Sequence, residues 1–233
     1  MEEQYMFLNE YTDRLIEKGK CCSDIGLWNG KMGIAIYLLH AARITQNEKY
    51  NNEAFNLIDA IYEQVSYKMP FCFDNGLLGI ACGFEYIISK GFADADNDEM
   101  LSEIDLVAQN IIESRPTDTI NLKKGICGVG YYLYYRLKHR PDKADDMATL
   151  KLKEYLIYWI DWMETTLLNT KDRHNYNDAY FLLCRLQKLN IFNYKVEKLI
   201  NLCLRKIIDF NCLISDNYEL LGINSLKVLK PWM

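Results

Sequence analysis

Apolar residues recur along this chain in steps of three and four, the spacing that lines up side chains on one face of an α-helix. Ala54, Ile58, Ile61 and Val65 form one such stripe; Leu101, Ile104, Ala108 and Ile111 form a second; Val196, Ile200, Cys203 and Ile207 form a third. Each stripe leaves a polar face, which predicts amphipathic helices packed on one side. A longer helix, rich in Tyr, Trp and Leu, is predicted from Asp142 to Leu168, with Pro141 suited to its start. Strand signals are weak, and no hairpin dipeptide sits between alternating segments.

Between the amphipathic stretches lie segments that are apolar on nearly all sides, and each opens on glycines. They are Gly30-Lys31-Met32-Gly33-Ile34-Ala35, Gly76-Leu77-Leu78-Gly79-Ile80-Ala81 and Gly125-Ile126-Cys127-Gly128-Val129-Gly130. The second glycines stand 79 − 33 = 46 and 128 − 79 = 49 residues apart. A further 49 reaches Asn177, where Asn is the natural substitute for Gly in a left-handed backbone, and a further 45 reaches Gly222. The unit is thus a helical hairpin whose second helix opens at the glycines. Mostly apolar helices alternating with one-sided ones suggest an inner and an outer layer, which favours a closed ring over an open solenoid. The expectation is an all-α fold, an α/α toroid of about five hairpins, with residues 1–233 as one domain. Whether five repeats close the ring is left open.

The pattern G-x-x-G-[IV]-[AG] at this period resembles the repeat of the lanthionine synthetase C-like family. The closest stretch runs from Asn75 through Gly76-Leu77-Leu78-Gly79-Ile80-Ala81-Cys82-Gly83 to Asp105, and the similarity covers residues 25–140, fading after 170. The resemblance implies an α/α toroid and an association with peptide modification. In active members of that family zinc binds a substrate cysteine thiolate and drives its addition to a dehydrated Ser or Thr. The metal is held there by two cysteines and a histidine, in loops ahead of such glycine motifs. Here those loops read Leu27-Trp28-Asn29, Phe73-Asp74-Asn75 and Leu122-Lys123-Lys124, with neither Cys nor His. Zinc needs thiolate and imidazole ligands and an open position, so no metal and no cofactor is expected. His174, one repeat on from Gly125, is the best-placed potential ligand, but Cys184 lies about three helical turns further along.

Composition narrows the function classes. Half of the 233 residues are hydrophobic, and 27 basic against 32 acidic side chains leave a net charge of −5. With no basic surplus to neutralise phosphates, nucleic acid is excluded as the main partner. No apolar run approaches the roughly 18 residues of a membrane span, and the N-terminus carries acids where an export signal carries bases. Eight cysteines without a CxxC pair read as buried, reduced thiols, which points to the cytoplasm.

Three smaller constellations have plain structural readings. Asp94-x-Asp96-x-Asp98 resembles the start of a calcium loop but lacks its glycine, and is expected to cap a helix beginning near Asn97 or Asp98. The glycine pairs could cradle an anion, yet their repetition in every unit favours packing or a tight turn. Asp74, Glu85 and Glu103 raise the possibility of paired catalytic carboxylates. The reading these features support is a non-catalytic or accessory protein that binds a peptide or partner protein at the toroid mouth. Its contact residues would be Trp28, Asn29, Asp74, Asn75, Lys123, Lys124 and His174. The alternative is an enzyme acting on a carbohydrate or peptide through mouth carboxylates such as Asp74, which should show a cleft with two convergent carboxylates.

Overall fold

The computed structural model describes residues 2–140, 146–170, 176–210 and 229. Among these residues there are nine α-helices and no strand. They are α1 (Glu2–Cys21), α2 (Lys31–Thr45), α3 (Glu48–Gln64), α4 (Leu77–Ser89), α5 (Asn97–Ser114), α6 (Ile126–Lys138), α7 (Met147–Asn169), α8 (Tyr176–Leu186) and α9 (Asn193–Phe210), with a 3₁₀ turn over Gln187–Leu189. The all-helical expectation therefore holds. The fifth register, at Gly222, lies outside the described residues.

Two kinds of helix alternate, and they differ at their first residue. The N-caps of α3, α5 and α7 are Asn47, Asp96 and Asp146, whose side chains accept hydrogen bonds from amides of the first turn. Such caps satisfy donors that the helix itself leaves orphaned, and each is worth about 1 kcal/mol. The N-caps of α2, α4 and α6 are Gly30, Gly76 and Gly125, with no side chain to offer. Burial alternates with capping. In α4 nine of 13 residues are buried and in α6 ten of 13, against five of 18 in α5. The division into enclosed and one-sided helices is as the hydrophobic pattern predicts. The acidic run resolves likewise, with Asp96 capping α5 through Oδ1 to the amides of Asp98 and Glu99.

Some boundaries and faces differ from the sequence reading. The helix expected from Asp142 begins at Met147, because Asp146 supplies the cap; Pro141 and Asp142 lie outside the described residues. In α3 the buried stripe is Ala54, Leu57 and Ile61, with Ile58 and Val65 half-buried. In α9 it is Val196, Leu199 and Cys203, with Ile200 and Ile207 half-buried. In both, two faces satisfied the three-and-four rule and the packing used a narrower one.

The described residues divide into two compact units, residues 2–93 with Leu229 and residues 94–210. In the first, α2 packs along α3 and against α1 and α4. The packing is close: a Cβ added at Gly83 of α4 would lie 2.4 Å from the Met32 side chain of α2. The buried Thr12 hydroxyl donates to the Leu8 carbonyl at 2.7 Å and meets the Tyr37 hydroxyl at 2.9 Å. In the second unit, α7 packs on α5, α6 and α9, and α8 on α6 and α9. Trp159, fully buried, donates from Nε1 to the Ile126 carbonyl at 2.8 Å, and its ring fills the space where Gly130 has no side chain.

Candidate functional site

The loops that lead into α2, α4 and α6 are closed by one device. The amide of the first helical residue donates to a carbonyl seven residues earlier: Lys31 to Asp24 at 2.9 Å, Leu77 to Pro70 at 2.9 Å, and Ile126 to Thr119 at 2.8 Å. The loop thus curls back and satisfies a helix-terminal donor with its own backbone. Only glycine fits beneath the crossing. A Cβ at Gly76 would lie 2.2 Å from the Pro70 carbonyl oxygen, and one at Gly125 2.2 Å from that of Thr119. Gly79, one turn on, meets the same loop: its Cβ would be 1.9 Å from the Phe73 oxygen.

This corrects the reason expected for the glycines. The cap glycines have φ of −102°, −114° and −108°, which is ordinary extended backbone and not the left-handed region. Asn177 is the second residue of α8 and is absent from the positive-φ residues, so it does not stand in for a left-handed glycine. Gly79 makes room for its own loop, while close contact with neighbouring helices falls on Gly83, against Met32 of α2, and on Gly130, against Trp159 of α7 and Leu182 of α8.

In the first unit two of these loops are joined. The Trp28 amide donates to the Asp74 carbonyl at 2.8 Å, and Gly26 lies so close to Asn75 that a Cβ would be 2.3 Å from its Cα. The Asp24 carboxylate accepts from the Gly26 amide at 2.7 Å and holds the first loop in shape. Trp28, Asn29, Asp74 and Asn75 are therefore brought together, Trp28 and Asp74 half-buried, Asn29 and Asn75 exposed. The Asp74 carboxylate accepts from the next amide, that of Asn75, at 2.9 Å.

In the second unit Lys123 and Lys124 are exposed on the loop before α6. That loop is held by a residue the sequence reading passed over: the Asp178 carboxylate, at the start of α8, accepts from the Leu122 amide at 2.7 Å. Burial raises its pKa, against the pull of the Leu122 amide and the Lys123 charge. An acid in the first turn of an apolar helix was the available signal. His174 lies outside the described residues.

Among the described residues no three His, Cys, Asp or Glu side chains converge to hold a metal ion. Two of the described thiols are also held in their neutral form by burial. Cys127 and Cys203 are buried, and desolvation pushes Cys127 up and Cys203 up to about 12, so both stay protonated where zinc requires thiolate. The described residues by themselves assemble no zinc site, and His174, the best-placed potential ligand, lies outside them.

The family model for lanthionine synthetase C-like proteins matches residues 23–182, from the loop ahead of α2 into α8. The chain belongs to the lanthionine synthetase C-like family. The matched stretch includes all three glycine-closed loops, and the fold of the family is the α/α toroid. A comparison with individual curated proteins finds no match. Among the described residues, no helix is long and apolar enough to cross a membrane.

Proposed function

We propose that this lanthionine synthetase C-like protein is an accessory, non-catalytic member that holds a peptide or partner protein at the loop end of its glycine-capped helices. On this reading residues 1–233 form one α/α toroid domain that works in the cytoplasm in peptide modification; the described cysteines, all free thiols, support that compartment. The observation that carries the reading is the locked pair of loops around Trp28. An aromatic side chain held on a fixed backbone is a low-entropy anchor. The exposed carboxamides of Asn29 and Asn75 beside it can each donate to and accept from a peptide backbone. Lys123 and Lys124 of the second unit, and His174 outside the described residues, are the further contact residues that the repeat register assigns.

The enzyme reading has one observation to answer. A cavity of about 370 Å³ beside α5 and α7 is lined by Asp98 and Asp105. Both carboxylates are ion-paired with Arg136, each at 2.8 Å, and Asp98 also with Arg140. Carboxylates paired in this way are accounted for by holding α5 against the end of α6. Of the other candidate carboxylates, Glu85 is buried on α4 and Glu103 is exposed on α5.

The test is a fluorescence-anisotropy titration with a labelled synthetic peptide that contains cysteine and dehydrobutyrine. Trp28→Ala, and Asn29→Ala with Asn75→Ala, should each weaken binding by about tenfold, the cost of losing a modest interface anchor. Free thiol in the peptide should stay constant when protein and zinc are added. Unchanged affinity in both variants would contradict the binding reading, and zinc-dependent loss of thiol would contradict the non-catalytic one.

A further inference from the structure

The described thiols divide by access. Cys82, Cys127 and Cys203 are buried, and burial holds the last two in their neutral form. Cys72 and Cys184 are half-buried, each with no cysteine beside it in sequence. Cys21 and Cys22 are neighbours, Cys21 exposed and Cys22 half-buried. Because the two residues are bonded to each other, their sulfurs stay within reach of one another without help from the rest of the fold.

Their place in the first unit gives the pair something to act on. Cys21 is the last residue of α1 and Cys22 lies beyond it. The peptide between them stands where the helix ladder ends, so it can turn without breaking the ladder further back. The Cys22 thiol donates to the Asp24 carbonyl at 3.4 Å. That carbonyl also accepts from Lys31, the bond that closes the loop onto α2, and the Asp24 carboxylate holds the Gly26 amide. Asp24 is the fixed point of this loop, and Cys22 bonds to it from two residues away.

We propose that Cys21 and Cys22 are a redox modification site: hydrogen peroxide oxidises them to a disulfide between adjacent residues, and this loosens the loop ahead of α2. One peroxide balances the change. The first sulfur gives up its proton and attacks a peroxide oxygen; the O–O bond breaks, a sulfenic acid forms, and the departing hydroxide leaves with that proton as water. The second sulfur gives up its proton and attacks the sulfenic sulfur. The S–S bond forms, the S–O bond breaks, and a second water leaves. Two electrons have passed from the two sulfurs to the peroxide. The product ring is tight, since adjacent Cα atoms stand about 3.8 Å apart and ordinary disulfides span about 4.4–6.8 Å. A strained, exposed disulfide is readily reduced by thiols, which makes the change reversible. In the oxidised form the Cys22 sulfur has lost its hydrogen and is drawn back to Cys21. The Asp24 carbonyl then loses a donor, and the segment that carries it shifts. The site does not depend on the peptide reading.

Mass spectrometry and amide exchange read by NMR test it on the intact protein before and after peroxide. In a digest made without reductant, the tryptic peptide Cys21–Lys31 should be lighter by two hydrogens, and dithiothreitol should restore its mass. The amides of Gly26, Trp28 and Lys31 should exchange about threefold faster or more in the oxidised protein, the worth of one modest hydrogen bond. Cys22→Ser keeps a donor for the Asp24 carbonyl and cannot form the link, so peroxide should leave its loop amides at their untreated rates. Oxygen added to one sulfur without the link, or a link to any other cysteine or to a second molecule, would overturn the proposal. So would a link that leaves the three amides at their reduced rates, or the same acceleration in Cys22→Ser.

Discussion

The glycine-capped helices are built alike where they begin and differently where they end. Three loops close on α2, α4 and α6 through the same seven-residue backbone hydrogen bond. At the other end, the first unit uses a neutral pair: His40 Nε2 and the Tyr86 hydroxyl lie 2.8 Å apart, with the His40 ring edge-on to Phe92 at 4.9 Å. Arg43 covers Phe92 at 3.9 Å and donates to the carbonyls of Lys90 and Gly91. The second unit uses charge. Arg136 has a side chain only 1% exposed, bound to Asp105 by two hydrogen bonds and to Asp98 by one, while Tyr132 donates to Asp105 at 2.6 Å. A feature fixed by backbone geometry recurs because only glycine permits it. A feature fixed by side chains is free to diverge between repeats, and here it does.

The charged end should be the most fragile. Burial opposes the charge on Arg136, and the hydrogen bonds and charge of Asp105 more than offset this, raising its pKa. Asp105→Ala strands most of that charge and should cost about 3–5 kcal/mol in denaturant unfolding. A loss under 1 kcal/mol would show that Asp98 alone suffices.

The neutral end should reveal itself by pH. Burial, aided by the charges of Arg43 and Lys90, lowers the His40 pKa from 6.5 to about 4. The unfolded chain therefore takes up the proton first. The stability is fully present above pH 6.5 and is lost as pH falls towards 4, by roughly 3 kcal/mol from this group. His40→Gln should flatten that part of the pH–stability curve, leaving only the carboxylate contributions common to both proteins. Identical slopes would remove His40 from the account.

The shared beginnings come next in size. Gly125→Ala should destabilise by about 1–3 kcal/mol, since the new methyl meets a backbone oxygen that cannot turn aside. Lys124→Ala, on the same loop but exposed, should stay within about 0.5 kcal/mol. Equal effects in thermal melts would sink the glycine argument. Smaller than the glycine effect, Lys195→Ala removes partly exposed ion pairs with Asp161 and Glu164 and should cost about 1 kcal/mol or less.

The helices and the glycine register were legible because both rest on local rules: apolar spacing for the one, repetition at 46 and 49 residues for the other. The cause of the register was not legible. The carbonyl that excludes a side chain at Gly76 belongs to Pro70, and a loop's path over a helix leaves no periodic trace. Trp28 and Asp74 could be named as loop residues, but their backbone bond joins positions 46 apart. Arg136 was invisible for a similar reason. It reads as one basic residue at the end of an apolar helix, and only the fold brings Asp98 and Asp105 to it.

The central claim is that the joined loops of the first unit form a binding surface, and hydrogen–deuterium exchange tests it most directly. The protein would be compared alone and saturated with the cysteine–dehydrobutyrine peptide. The account predicts slowed exchange at Leu27–Asn29 and Asp74–Asn75, with α9 unchanged. Saturable binding that leaves both loops at their free rates, with protection elsewhere, would contradict it.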